Sequence, residues 1–219
     1  YQVPLAPPTY ESERQSTAFW DRTSSHGIHS TVVRVPVTFP PESLHGNGKM
    51  LSGLGTPDLR GTQGSYSFWY EDAQQSTEDS SGEQQQVRFI NNRANSHIIG
   101  PTNSLLDRPR PTRAPLKIRR TDTGARLTIG NNRSFFLATG QWSEWKAIQF
   151  SLGLGMNVTG IARFHLNQTD PFELYMTPIQ IDPKDPVMAI STPESYAPHL
   201  AKRIGRFYTM GMAQDDKAL

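Results

Sequence analysis

Ser30–Glu42, STVVRVPVTFPPE, is followed after a short link by Met50–Gly64, MLSGLGTPDLRGTQG. The first stretch is a near-continuous β-branched run, the pattern of a strand covered on both faces. Pro36 cannot donate to a ladder, so the strand is placed at Ser30–Val35 and VTFPPE is read as its exit. The second stretch is a glycine-rich loop at the carboxyl end of that strand, where open α/β sheets hold their ligands. Gly53 and Gly55 let backbone N–H groups approach a bound group, and Arg60 can fork onto phosphate oxygens. Asp58, Arg60 and Gln63 are therefore the candidate substrate-binding residues. The competing reading of the same loop is a structural turn in which Asp58 and Arg60 pair with each other.

On the N-terminal side, Tyr1–Gln15 is proline-rich and polar, the composition of an extended arm. Ser16–Ser25 reads as a short helix capped by Ser16 or Thr17, with Phe19 and Trp20 on its buried side and His26-Gly27 ending it. Helix, strand and glycine-rich loop make half of an α/β unit, spanning residues 16–64.

On the C-terminal side the texture changes at Ser65. YSFWY is a short aromatic strand, and Glu71–Gln86, EDAQQSTEDSSGEQQQ, is a solvated loop without large apolar groups. From Val87 to Tyr175, short β-like runs alternate with turn signals at Asn91-Asn92, Asn131-Asn132 and Gly153-Leu154-Gly155. That spacing predicts a β-rich domain of sandwich or barrel type over residues 65–190. Residues 191–219 close the chain with a helix. Thr192 or Ser195 caps it, Tyr196, Leu200, Ile204 and Phe207 form its apolar side, and Gly211 stops it.

Composition agrees with a loop-rich, β-rich chain: of 219 residues, 35% are hydrophobic and 19% charged, with 17 glycines and 17 prolines. The absence of cysteine excludes disulfides, thiolate metal sites and a cysteine nucleophile. A net charge of +2 is too small to argue by itself for nucleic acid or an anionic membrane. No apolar run is long enough to span a bilayer. The start lacks an initiator Met and a signal-peptide pattern, so the chain is expected to be a mature product or a piece of something longer. Neither compartment nor oligomeric state is set by these features.

Residues able to carry chemistry are sparse. Of the six histidines, only His26 and His29 lie close in sequence, and neither an HExxH nor an Asp-x-His cluster occurs, so surface or capping histidines are expected over a zinc site. No GxSxG elbow or Walker sequence is present. Trp142, Trp145, Phe135 and Phe136 suit a sugar-stacking platform, but aromatic residues in strands more often belong to a core. The basic strip Arg108–Arg120, RPRPTRAPLKIRR, is interleaved with proline and free of aromatics. It suits a phosphate-binding arm, but reads rather as a solvated connector or protein-docking strip, with no nucleic-acid partner expected; its end, PLKIRR (Pro115–Arg120), is one of the β-like runs.

Taken together, FW…HGIHSTVVRVPVTFPPE and GLGTPDLRGTQG resemble the alkaline phosphatase superfamily, in its type I phosphodiesterase or nucleotide pyrophosphatase branch. LYMTPIQIDPKDPVMAIS and the end helix running into YTMGMAQD are similar to the same branch, so matching pieces bracket most of the chain. The resemblance implies a mixed α/β fold: the edge of a three-layer α/β hydrolase core, a mainly antiparallel β-sandwich-like insertion, and a helix returning to the core. It also implies a metal-dependent phosphate-ester hydrolase. Two divalent metal ions, usually zinc, polarise the phosphoryl oxygens there, and a Thr or Ser is the nucleophile. In that family the nucleophile precedes the position of Tyr1 and most metal ligands follow that of Leu219. The chain is accordingly expected to be an internal fragment, inactive alone, with no catalytic or metal residue of its own. Its partners would be the remaining segments of the parent polypeptide and a small phosphate ester. The alternative function is a non-catalytic β-rich binding or assembly module built on the same scaffold.

Overall fold

A computed structural model describes residues 11, 16–62, 64–73 and 82–209. In chain order its first elements are α1 (Phe19–Ser25), β1 (Thr31–Val35), β2 (Lys49–Ser52), β3 (Ser67–Tyr70), β4 (Glu83–Gln86), β5 (Arg93–Asn103), β6 (Arg110–Thr121) and β7 (Gly124–Ile129). They are followed by β8 (Phe135–Ala138), β9 (Lys146–Gly153), β10 (Met156–Ala162), β11 (Phe164–Thr169), β12 (Phe172–Met176), β13 (Gln180–Ile181), β14 (Ser191–Thr192) and α2 (Tyr196–Ile204). Among the described residues 44% lie in strands and 9% are helical, in several separate sheets. The expected mixed α/β architecture, with the edge of a three-layer core, is therefore overturned: the protein is mostly β.

The described residues divide into two compact units, one within residues 58–179 and the other within residues 16–57 and 180–209. The second contains the segments from which the α/β core was expected. Its sheet has three strands in the order β1-β2-β14, with β1–β2 parallel and β14–β2 antiparallel. The β-branched run of β1 does not make a strand covered on both faces. Val32 is buried, whereas Val33 is 51% exposed. The reason is local. β1 is an edge strand whose register breaks between Val33 and Val35, and Arg34 sits at φ 54°. Gly53 is required beside this kink, because a Cβ there would meet the Arg34 carbonyl carbon at 2.4 Å and the Val35 oxygen at 2.5 Å. The glycine therefore serves close backbone packing.

Both helices differ from expectation in their ends. α1 begins at Phe19, and its N-cap Ala18 offers no side-chain bond. Phe19 is 73% exposed, and only Trp20 and Ser24 are buried. In α2, neither Ser195 nor Thr192 caps through its side chain; the Ser191 hydroxyl oxygen accepts from the Ala197 N–H at 2.9 Å. The buried residues of α2 are Ala197 and Ala201, and Ile204 is 71% exposed. Small residues let the helix pack closely, a signal that the search for large apolar side chains passes over. The helix ends at Gly205 (φ 85°); Gly211 lies outside the described residues.

The other unit is built from strands. One sheet has the order β11-β12-β3-β4, another is the antiparallel meander β5-β6-β7-β8, and β9–β10 form an antiparallel hairpin. Alternation along β6 buries Thr112, Ala114, Leu116 and Ile118 and exposes Pro111, Arg113, Pro115, Lys117 and Arg119. The inner side joins Trp69, Ile98, Leu127, Ile148, Phe150 and Phe164 in one core. Polar links fasten this unit: Trp69 Nε1 donates to Ser96 Oγ at 2.9 Å, and Arg120 pairs with Glu71 at 2.7 Å. The β-like run expected at Pro115–Arg120 is present and extends back to Arg110, so most of Arg108–Arg120 is a strand with one buried face and not a solvated connector. Likewise Glu83–Gln86, read as loop, pairs in parallel with β3.

Candidate anion-binding cleft

The glycine-rich loop commits its polar groups locally. Asp58 is buried, with 1% of its surface exposed. Its Oδ1 accepts the Thr62 N–H at 2.8 Å, its Oδ2 accepts the Thr62 hydroxyl, and its carbonyl accepts the Gly61 N–H at 3.0 Å. This is the bonding of an Asp that closes a turn. Arg60 does not pair with Asp58. Its Nη2 meets Glu83 Oε1 on β4 at 2.8 Å, while its enclosed Nη1 has no hydrogen-bond partner among the described residues. Gln63 lies outside the described residues. The structure therefore turns Asp58 inward as a structural acceptor and ties Arg60 to β4; it does not bring the two together.

Glu83 links that loop to the meander sheet. His97 on β5 feels the Glu83 carboxylate, which favours its protonation, and the Arg113 guanidinium on β6, which opposes it. Partial burial is the largest influence, and with Arg113 it holds the His97 pKa below the ordinary 6.5. Arg113 in turn lines an open cleft of about 540 Å³, together with Asn103, Arg110, Thr112, Ser151 and Leu152. Three elements shape it: the end of β5, the start of β6 and the end of β9.

The lining residues fix one another. Asn103 Nδ2 donates to the Leu152 carbonyl at 2.9 Å, and its Oδ1 accepts the Leu105 N–H at 3.1 Å. The Thr112 hydroxyl donates to the Pro101 carbonyl at 2.8 Å. The Ser151 hydroxyl oxygen accepts from the Gly153 N–H at 3.3 Å. Arg110 and Arg113 are the charged groups of the lining, and neither has an ion-pair partner among the described residues. Two uncommitted guanidiniums beside a fixed hydroxyl suit an anion with several oxygens, since each can present a pair of parallel N–H donors.

The arrangement does not fit a two-metal centre. Among the described residues no three His, Asp or Glu side chains converge. His26 sits at the α1 C-terminus with Nδ1 2.8 Å from the Arg22 carbonyl, and His165 Nδ1 is 2.7 Å from Asn167 Oδ1. No step is therefore assigned to metal ions. The aromatic platform is split. Phe135 packs against the core, Trp142 stands edge-on to Tyr175 at 5.9 Å, and Phe136 faces solvent.

Arg110 and Arg113 fall in the basic strip that suits a phosphate-binding arm, but its interleaved prolines favour a connector. The period-two alternation of Thr112, Ala114, Leu116 and Ile118 was the signal available. No helix among the described residues is long and apolar enough to cross a membrane. Comparison with known proteins adds no relative: no family model, curated protein or solved structure matches the chain.

Proposed function

We propose that this chain supplies the substrate-binding part of a metal-dependent phosphate-ester hydrolase. It grips the ester's phosphate in the Arg110–Arg113 cleft and leaves bond cleavage to residues contributed from outside it. The observation that carries this reading is a cleft whose charged lining consists of two guanidinium groups without carboxylate partners among the described residues. The hydrolase class comes from the resemblance of the GLGTPDLRGTQG region, and the binding role comes from the cleft. Arg60 acts at one remove: it holds Glu83, whose charge bears on His97 beside Arg113.

The test uses a longer polypeptide that includes flanking segments, assayed on a nitrophenyl phosphate ester with added zinc. Replacing both Arg110 and Arg113 by Gln raises KM about tenfold or more, the loss of one or two charge-assisted hydrogen bonds at ~1.5–3 kcal/mol each. An unchanged KM contradicts the role of the cleft. Turnover by the 219-residue chain alone contradicts the division of labour.

A further inference from the structure

The meander sheet carries a second cationic feature on its solvent face. The register sets Arg93 opposite Arg119, Arg119 opposite Arg126, and Arg126 opposite Phe136, so one row crosses β5, β6, β7 and β8. All four side chains are exposed. Lys117 lies two residues from Arg119 on the same face of β6, about 7 Å along the strand. Among the described residues none of these cations has an ion-pair partner. Like charges directly opposite one another destabilise a sheet. Three arginines in one row therefore work against the fold they sit on, and an anion laid across them relieves that repulsion.

The row ends on a different chemistry. Phe136 is 47% exposed, and its ring edge lies over Gly124, where a Cβ would meet the ring carbon Cζ at 2.7 Å. A partner for this face must offer closely spaced anionic groups and a flat apolar group beside them. A single-stranded nucleic acid has both: phosphates for the guanidiniums and unpaired bases for the ring. A duplex keeps its bases stacked inside, a polysaccharide lacks aromatic faces, and a lipid surface requires no register. The lack of aromatic residues in Arg108–Arg120 argued against such a partner in the linear sequence, but strand pairing adds Arg93, Arg126 and Phe136 from outside that strip.

We propose that the exposed face of β5–β8 binds single-stranded nucleic acid, with phosphates on Arg93, Lys117, Arg119 and Arg126 and a base stacked on Phe136. The inference does not depend on the phosphate-ester reading.

The test is fluorescence anisotropy of the whole chain with a labelled 12-nucleotide single strand of mixed sequence. Four phosphate contacts predict affinity falling roughly 50-fold between 50 and 200 mM salt. Changing Arg119 and Arg126 together to Gln weakens binding tenfold or more and flattens the salt dependence. Phe136→Ala weakens it about fivefold or more and leaves the salt dependence unchanged. Arg110→Gln leaves strand binding within twofold, which separates this surface from the cleft. Thermal melting of each variant confirms that it is folded. Absence of saturable binding at 50 mM salt overturns the proposal. So does binding that Phe136→Ala leaves untouched, or that a duplex, a sulfated polysaccharide or anionic vesicles equal.

Discussion

Asp58 shows how one residue type can suggest a ligand and serve a turn. Its buried carboxylate is engaged by the N–H and hydroxyl of Thr62, so its removal leaves those part-buried donors without this acceptor. Asp58→Ala is expected to cost about 1–2 kcal/mol in denaturant unfolding and to leave phosphate affinity unchanged. Retained stability, or lost phosphate affinity, contradicts that assignment. His97 gives the pH counterpart. Its folded pKa is lowered, so between that value and the ordinary 6.5 the unfolded chain binds more protons than the folded one. Its contribution to stability is therefore full above about pH 6.5 and falls as pH drops through the window, with no further loss below the folded value. His97→Gln removes this slope from stability measured against pH. Phosphate bound beside Arg113 offsets that cation, so the His97 ring titration, followed by NMR, moves upward when phosphate is added.

Strand β6 shows what could be read from the chain and what could not. Its alternation of small apolar and charged residues is a strand pattern, yet Pro111 and Pro115 argued for a connector. They are tolerated because β7 pairs with β6 only from Leu116 onward. The Pro115 carbonyl accepts the Gly130 N–H at 2.8 Å, so its missing donor faces the edge that β7 does not reach. β4 was illegible for the opposite reason. EQQQ has no apolar face, and it pairs at a sheet edge with Gln85 bonded to Ser96 and to the His97 carbonyl. β1 misled because a β-branched run implies a covered strand, while the positive φ of Arg34 and the register break leave it half exposed. The glycine-rich loop was recognisable as a loop, but the partner of Arg60 is Glu83, at the end of the Glu71–Gln86 segment that reads as a solvated loop. The cleft needs β9 laid beside β6, which no local pattern announces. At the arginine row, Arg119→Glu places an anion between two cations and should stabilise the fold by about 0.5–1 kcal/mol, read as a higher melting temperature. A fall in melting temperature contradicts the claim that the row opposes folding.

Across the protein, a net charge of +2 hides strong local asymmetry. Within the β-rich unit, the carboxylates of Glu71 and Glu83 are spent on Arg120 and Arg60, whereas the arginines of the cleft and of the meander face have no ion-pair partner among the described residues. Charge of one sign left on rigid strands is an arrangement for holding anions. On the proposed reading these arginines position such a group, and among the described residues no three acids or imidazoles converge as a metal-assisted reaction requires. The most direct check is calorimetric titration of inorganic phosphate into the chain and into its Arg110→Gln, Arg113→Gln double variant. The account predicts saturable binding of one phosphate, with a dissociation constant of about 1 mM or tighter, weakened tenfold or more in the double variant. Absence of saturable binding, or equal affinity in the two proteins, contradicts it.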